Sequence, residues 1–502
     1  MPCNIYEVGS GCETWSFCNR RVKAGQRPTG ADLLAKPKPQ KKRTGKTRKV
    51  RGKPGRVVET VGRRVRVVDE AGDRVCYLAG RSAPVGLCPA LTRLLQKDHV
   101  SHPDPTSYML QGMKTGLDKL MENPREHLGT GRVGIVANPT TINRELHHAI
   151  DLLAEHPDVN LKLLFGPEHG VRAAAQDMIG VGDDKDLRTG LPVVSLYGKT
   201  FESLSPSQSE LQELDTLVFD IQDVGSRYYT YAATMALCMK AAVPLGVKIV
   251  VLDRPNPIGG AQVEGGGLTP GLENFCALYP VPQRHGMTVG ELANLYNNSF
   301  GIGCDLHIVQ CEGWKRHQYY DELNYPWVMP SPNMPTLDTA IVYPGMCLLE
   351  GTHLSEARGT TRPFELVGAP YIDGYALRDK LNTLTLPGIG FRPTMFEPTF
   401  HKFKEESCGG VQLHVTDRQA FEPYKTGLAV IWAIKQLWPQ DYKWREGVYE
   451  FRDDEPAIDL LTGFAKVREA IDAAESFDKV LEHAFQGTDV YDAGRDAALI
   501  YD

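Results

Sequence analysis

The sequence predicts an α/β fold in which a doubly wound parallel sheet over residues 109–300 is followed by a smaller α+β domain over 301–502 that closes a cleft against it. Two observations carry this. Five short apolar runs recur at 132–140, 160–170, 192–198, 216–225 and 248–257, each ending in polar residues. That is the texture of strands buried on both faces of a parallel sheet. Helical spacing falls between them: Leu146, Ile150 and Leu153 after the first run, and TYAATMALCMKAA at 230–242, stopped by Pro244 and Gly246. In such a sheet, ligands bind outside the carboxyl ends of the strands.

Residues 1–54 form a basic low-complexity extension. Its run KPKPQKKRTGKTRKVRGKPGR at 36–56 has almost nothing to bury, so it is expected to be disordered or to fold only on a partner. Residues 55–108 are a small strand-rich segment and linker: apolar and polar residues alternate from 55 to 80 around a turn at Glu70-Ala71-Gly72-Asp73, as in an antiparallel meander. Residues 1–108 carry 22 Lys and Arg against 9 Asp and Glu, a balance of +13, while the remainder carries 34 against 53, a balance of −19. The basic part is either a solvated tail or a contact for RNA or another polyanion through phosphate neutralisation. Further on, Thr288-Val-Gly-Glu291 is a capping box that opens a helix. From about 300 the texture changes to mixed strands and loops, including LHIVQ at 306–310 and AIVYPGMCLLEG from 340. Two amphipathic helices follow, around 426–437 and 457–472.

Composition removes several classes. With 42% hydrophobic and 24% charged residues, the 502-residue chain is neither fibrous nor wholly disordered. No window holds the roughly 18 consecutive apolar residues of a membrane span. Eleven cysteines without a C-x-x-C pair indicate buried thiols rather than a disulfide framework or zinc knuckle. Neither GxGxxG nor GxxxxGK[ST] occurs at a strand-to-helix turn, and no HExxH or HxxEH is present, so no cofactor and no metal are expected.

The predicted strand ends present Asn138, then Glu168 and His169, then Tyr197, then Asp220 and Asp223, then Asp253, Arg254 and Asn256. A rim rich in carboxylates suits glycoside hydrolysis by paired acids, metal-assisted hydrolysis or recognition of a polar ligand. Glu168, in the turn GPEHG after an apolar strand, is either a general acid with a raised pKa or a turn glutamate capping the next segment. One of Asp220 and Asp223 is expected to be structural. Glu350 and Arg358 lie beside glycines in LLEGTHLSEARGTTRPF, where arginine is either a fork for a ligand carboxylate or half of an internal ion pair. Tyr228 and Tyr229, next to Arg227, are either a sugar-stacking face or core.

The blocks GPEHG, GLPVVSLYGK, FDIQDVGSRYYTY, VLDRPNPIGG, GMTVGE, PSPNMP, LLEGTHLSEARGTTRPF and a late GTD together resemble the exo-β-N-acetylmuramidase family, glycoside hydrolase family 171, over about residues 109–500. The resemblance implies a Rossmann-like domain, a smaller α/β domain and a site between them. It also implies release of terminal, non-reducing β-linked N-acetylmuramic acid from peptidoglycan fragments in cell-wall turnover or salvage. A non-catalytic muropeptide-binding protein is the alternative. On this reading Glu168 is the general acid and Glu350 its partner, with Asp223 and then Glu264 behind it. Asn138, His169, Arg172, Arg227, Tyr228, Asp253, Arg254, Asn256, Glu264 and Arg358 bind substrate. Because the body is acidic, affinity for an anionic glycan must come from local arginines such as Arg172, Arg227, Arg254 and Arg358. The chain as written is expected to be cytoplasmic, or periplasmic or secreted if the basic extension reflects a misplaced gene start.

Overall fold

The computed structural model describes residues 112–168, 170–172 and 184–502, together with four short strands nearer the N-terminus. The chain divides into two compact units, 1–103 and 104–502. In the first, strands Val50–Arg51, Val57–Val61, Arg64–Val68 and Arg74–Leu78 pair in sequence order as an antiparallel meander. Within the basic run expected to be disordered, Val50–Arg51 is a strand paired with Val57 and Val58; the rest of that run and the linker after residue 80 lie outside the described residues.

The second unit is organised by a sheet of six parallel strands: β1 (Arg132–Ala137), β2 (Asn160–Gly166), β3 (Pro192–Ser195), β4 (Thr216–Asp220), β5 (Lys248–Leu252) and β6 (Leu306–Val309). Their spatial order is β6-β5-β4-β1-β2-β3, with the two-residue strand Asp184–Lys185 antiparallel on the β3 edge. The chain winds outward from β1 in one direction through β3 and in the other from β4 to β6. The reversal lies between β1 and β4, where a doubly wound sheet opens its crevice. β6 lies beyond the boundary near 300 suggested by the change in sequence texture, yet it pairs in register with β5. A four-residue apolar run carries no information about which sheet it joins.

Helix α1 (Gly116–Glu122) is capped by Thr115, and α2 (Ala149–Glu155) follows β1. Helix α3 (Tyr231–Ala242) is apolar nearly all round because it is buried nearly all round, and it ends where Pro244 and the left-handed Gly246 require. The capping box at Thr288 and Glu291 forms and opens α4 (Val289–Asn294).

AIVYPGM, read from sequence among mixed strands and loops, is instead helix α5 (Leu337–Met346), with Pro344 inside it, continued by a tight turn over Cys347–Gly351. A short continuous apolar run does not distinguish a strand from a buried helix. The second sheet is antiparallel, with β7 (Leu366–Ala369), β8 (Ile389–Phe396) and β9 (Cys408–Val415) in the order β7-β9-β8. Helix α6 (Gly374–Asn382) and the long helix α7 (Pro423–Leu437) follow. Helices α5 and α7 cross at glycines: a Cβ on Gly345 would stand 1.8 Å from the Pro423 carbonyl oxygen, and one on Gly427 would stand 2.2 Å from that of Gly345. The stretch 457–472 is two helices rather than one, Ala457–Thr462 and Ala465–Asp472, separated by left-handed Gly463.

At the switch point the polar strand ends bind one another. Thr141 donates to the Asp220 carbonyl at 2.5 Å, and Gln222 N–H donates to Thr140 at 3.0 Å. Arg254 grips Asp220 with two hydrogen bonds of 2.5 and 3.0 Å, and both residues are fully buried. A buried pair of this kind contributes little net stability over apolar residues, but removing one partner strands the other charge. Asp220→Ala is therefore expected to lower unfolding free energy by about 3–5 kcal/mol, read from urea unfolding of the purified protein.

Candidate active site

Glu168 follows β2 in a turn closed by Gly170, which adopts φ +78° and donates its N–H to the Pro167 carbonyl at 2.9 Å. The carboxylate lines a pocket. Thr230, just before α3, donates to it at 3.5 Å.

The segment between β4 and α3 supplies the next wall. Gly225, at φ +79°, turns the chain. Arg227 is buried and donates to the carbonyls of Gly266, Gly267, Val281 and Leu461 at 2.6–3.3 Å. Anchoring Arg227 this way brings Tyr228, Tyr229, Thr230 and Tyr231 to the pocket. The Tyr228 hydroxyl has no hydrogen-bond partner among the described residues. Burial holds it well above the ordinary phenol range, so it faces the pocket as a proton-bearing donor. Tyr229 and Phe364 each meet Tyr343 edge-on, at 5.8 and 4.9 Å between ring centres. Loop 330–334 completes this side, because the Pro330 carbonyl accepts from Tyr231 at 2.8 Å and so places Ser331, Asn333 and Met334 on the pocket.

The facing wall comes from the C-terminal half. Glu350, in the turn after α5, accepts from Arg358 at 2.6 Å and from the Tyr449 hydroxyl at 3.0 Å. The Arg358 guanidinium lies 5.4 Å over the Phe364 ring and 3.3 Å from Glu356. Fully buried Glu356 also meets His401 at 3.1 Å and Lys402 at 2.9 Å. Burial pushes its carboxyl up, but Lys402, His401 and Arg358 together hold it far below the carboxylate range. Glu450 and Phe451 adopt φ +45° and +66°. The strain is held by Phe451, which meets Tyr197, Phe201 and Phe275 edge-on at 6.2–6.4 Å and pins Tyr449 and Glu450 across the mouth.

The structure therefore brings Glu168, Glu350, Tyr228 and Arg358 together in one pocket. The other described rim residues are not among those that line it. Asp223 accepts from Gly225 N–H at 2.6 Å and faces His285 at 3.2 Å. Asn138 accepts from Thr140 N–H and hydroxyl at 2.9 and 2.6 Å. Arg172 is held by Asp186 and Asp151, and Arg254 by Asp220. Asp253 accepts from Gly290 N–H and Thr288 at 2.8 Å and from Tyr501 at 2.5 Å, and Asn256 bridges Met287 and Ile258. Of the four arginines expected to attract an anionic glycan, Arg358 alone lines this pocket. His169 lies outside the described residues. Sequence reading did not single out Tyr343, Tyr449, Glu450, Ser331 or Asn333. The PSPNMP block was visible, but nothing local distinguishes the Tyr449 turn. Among the described residues, no group of three or more His, Cys, Asp or Glu is placed to hold a metal ion, and no helix is long and apolar enough to cross a membrane.

Glu264 sits away from the pocket, where one carboxylate oxygen accepts the Lys425 N–H of α7 at 2.8 Å. Burial pushes its carboxyl up from 4.5 to about 7. The unfolded chain then releases this proton first, so the contribution of Glu264 to stability falls as pH rises from about 4.5 through about 7. Urea unfolding at pH 4.5 and pH 8 should show a smaller loss for Glu264→Gln than for the parent, by ~3 kcal/mol at most.

Comparison with known proteins adds an independent observation. Two family models match nearly end to end: Exo-beta-N-acetylmuramidase NamZ, N-terminal, over 133–338, and its C-terminal counterpart over 341–501. The chain is 46% identical over 389 residues to Peptidoglycan beta-N-acetylmuramidase NamZ of Bacillus subtilis (strain 168), covering 78% of this chain and 91% of that one. Two solved structures of DUF1343 family proteins from Bacteroides fragilis are similar, with TM-scores of 0.70 and 0.60 at 34% and 28% identity. Each alignment covers 78% of this chain and 99% of the other.

Proposed function

The chain belongs to the exo-β-N-acetylmuramidase family, and from that premise we propose that it is a glycoside hydrolase releasing terminal, non-reducing β-linked N-acetylmuramic acid from peptidoglycan fragments in cell-wall turnover or salvage. The observation that supports this most directly is the meeting of Glu168 with the ion-paired Glu350 in one aromatic pocket.

Glu168 donates its proton to the glycosidic oxygen as the bond to C1 breaks. Glu350, held by Arg358 and Tyr449, sets negative charge against the oxocarbenium-like transition state. Arg358 is the cation among the lining residues and the partner for the lactyl carboxylate. Tyr228 and Asn333 supply donors for hydroxyl and acetamido groups. The described cysteines are free and buried, which supports work in a reducing compartment, the cytoplasm. For the N-terminal region, the basic run at 36–56 supports contact with a polyanion through phosphate neutralisation.

Incubation with a β-linked N-acetylmuramic acid to N-acetylglucosamine disaccharide should release both monosaccharides, followed by mass spectrometry. Glu168→Gln should lower kcat by about 10²–10⁴-fold with the circular dichroism spectrum unchanged. Full activity in that variant removes Glu168 from the mechanism, and binding without release by the parent protein indicates a muropeptide-binding role instead.

A further inference from the structure

A second hollow adjoins the pocket. Its lining includes Asn333, Gly359, Thr360, Thr399 and Phe400, with prolines between them. Asn333 belongs to both, and Gly359 directly follows Arg358, so the trough begins where the pocket opens. Resting on the muramidase reading above, we infer that this trough is the leaving-group subsite: it takes the N-acetylglucosamine ring on the far side of the scissile bond, with Phe400 as its stacking face.

Three features favour a neutral sugar there. No lining residue is ionisable, whereas an acidic peptide stem calls for a cation; proline rings, threonine hydroxyls and an aromatic face suit an uncharged ring with apolar and hydroxylated sides. Phe400 is a large apolar side chain left 39% exposed, with its backbone locked in place. Gly359, at φ +84°, lies so close that a Cβ there would stand 2.7 Å from the Phe400 nitrogen, and its carbonyl accepts both the N–H and the hydroxyl of Thr399, at 3.0 and 2.8 Å. Lastly, His401 and Lys402, the next two residues, are tied to Glu356, which also faces Arg358. One buried carboxylate thus braces the catalytic pocket and the trough together, so both are preformed.

In the reaction, the glycosidic oxygen keeps its bond to N-acetylglucosamine, takes a proton and departs into the trough as a hydroxyl. Water supplies the oxygen that bonds to C1. A substrate whose leaving group is fluoride places nothing in the trough, and this provides the test. kcat/KM is measured for the disaccharide and for β-N-acetylmuramyl fluoride with the parent protein, Phe400→Ala and Phe400→Tyr. Phe400→Ala should lower the ratio of disaccharide to fluoride kcat/KM by about 3- to 10-fold, and Phe400→Tyr should restore it. Equal losses on both substrates, or none on the disaccharide, overturn the subsite while leaving the muramidase standing. A parent protein that cleaves neither substrate overturns the muramidase reading and the subsite with it.

Discussion

A guanidinium without a carboxylate partner among the described residues organises the site. Arg227 is buried, and its charge is met by carbonyl oxygens from three chain segments, including Leu461 near the far end of the chain. Leaving such a donor unmet is costly, so these segments must converge on it. Their convergence delivers the next four residues, Tyr228 to Tyr231, to one wall of the pocket. The wall follows from satisfying a donor rather than from any property of the tyrosines.

The opposite wall is built from alternating charge. Glu350, Arg358, Glu356 and Lys402 form a chain of contacts of 2.6–3.3 Å running from the pocket into the interior. Each charge is held by its neighbour, so the outermost carboxylate is fixed in place before substrate arrives. The strain at Glu450 and Phe451 serves the same end: their left-handed backbone persists because Phe451 is packed among three aromatic rings of the first half. Preorganisation on both sides is what electrostatic stabilisation of a cationic transition state requires.

Much of the fold was legible. Five of the six parallel strands stood out as apolar runs, because burial on both faces removes polar residues from the whole strand. Helix α3 ended at Pro244 and Gly246, and the Thr288 capping box formed, because these depend on local backbone chemistry. The failures were equally physical. AIVYPGM is a helix because tertiary packing against α7, through Gly345 and Gly427, overrides an ambiguous local pattern. LHIVQ joins the first sheet because hydrogen bonding to β5 is a non-local choice.

For the site, sequence by itself determined the inventory: a glutamate in a glycine-bounded turn after β2, a second beside Arg358, and paired tyrosines before α3. It could not say which strand-end charges would face a ligand. Asp220, Asp223, Asp253, Arg254 and Asn256 occupy rim positions, yet they turn inward to satisfy one another and the loops between strands. That sorting was decided by tertiary structure, because a buried polar group takes whatever partner folding brings within about 3 Å, and that partner is often more than 30 residues away. Glu168 and Glu350 meet for the same reason, across a pocket whose walls come from both halves of the chain.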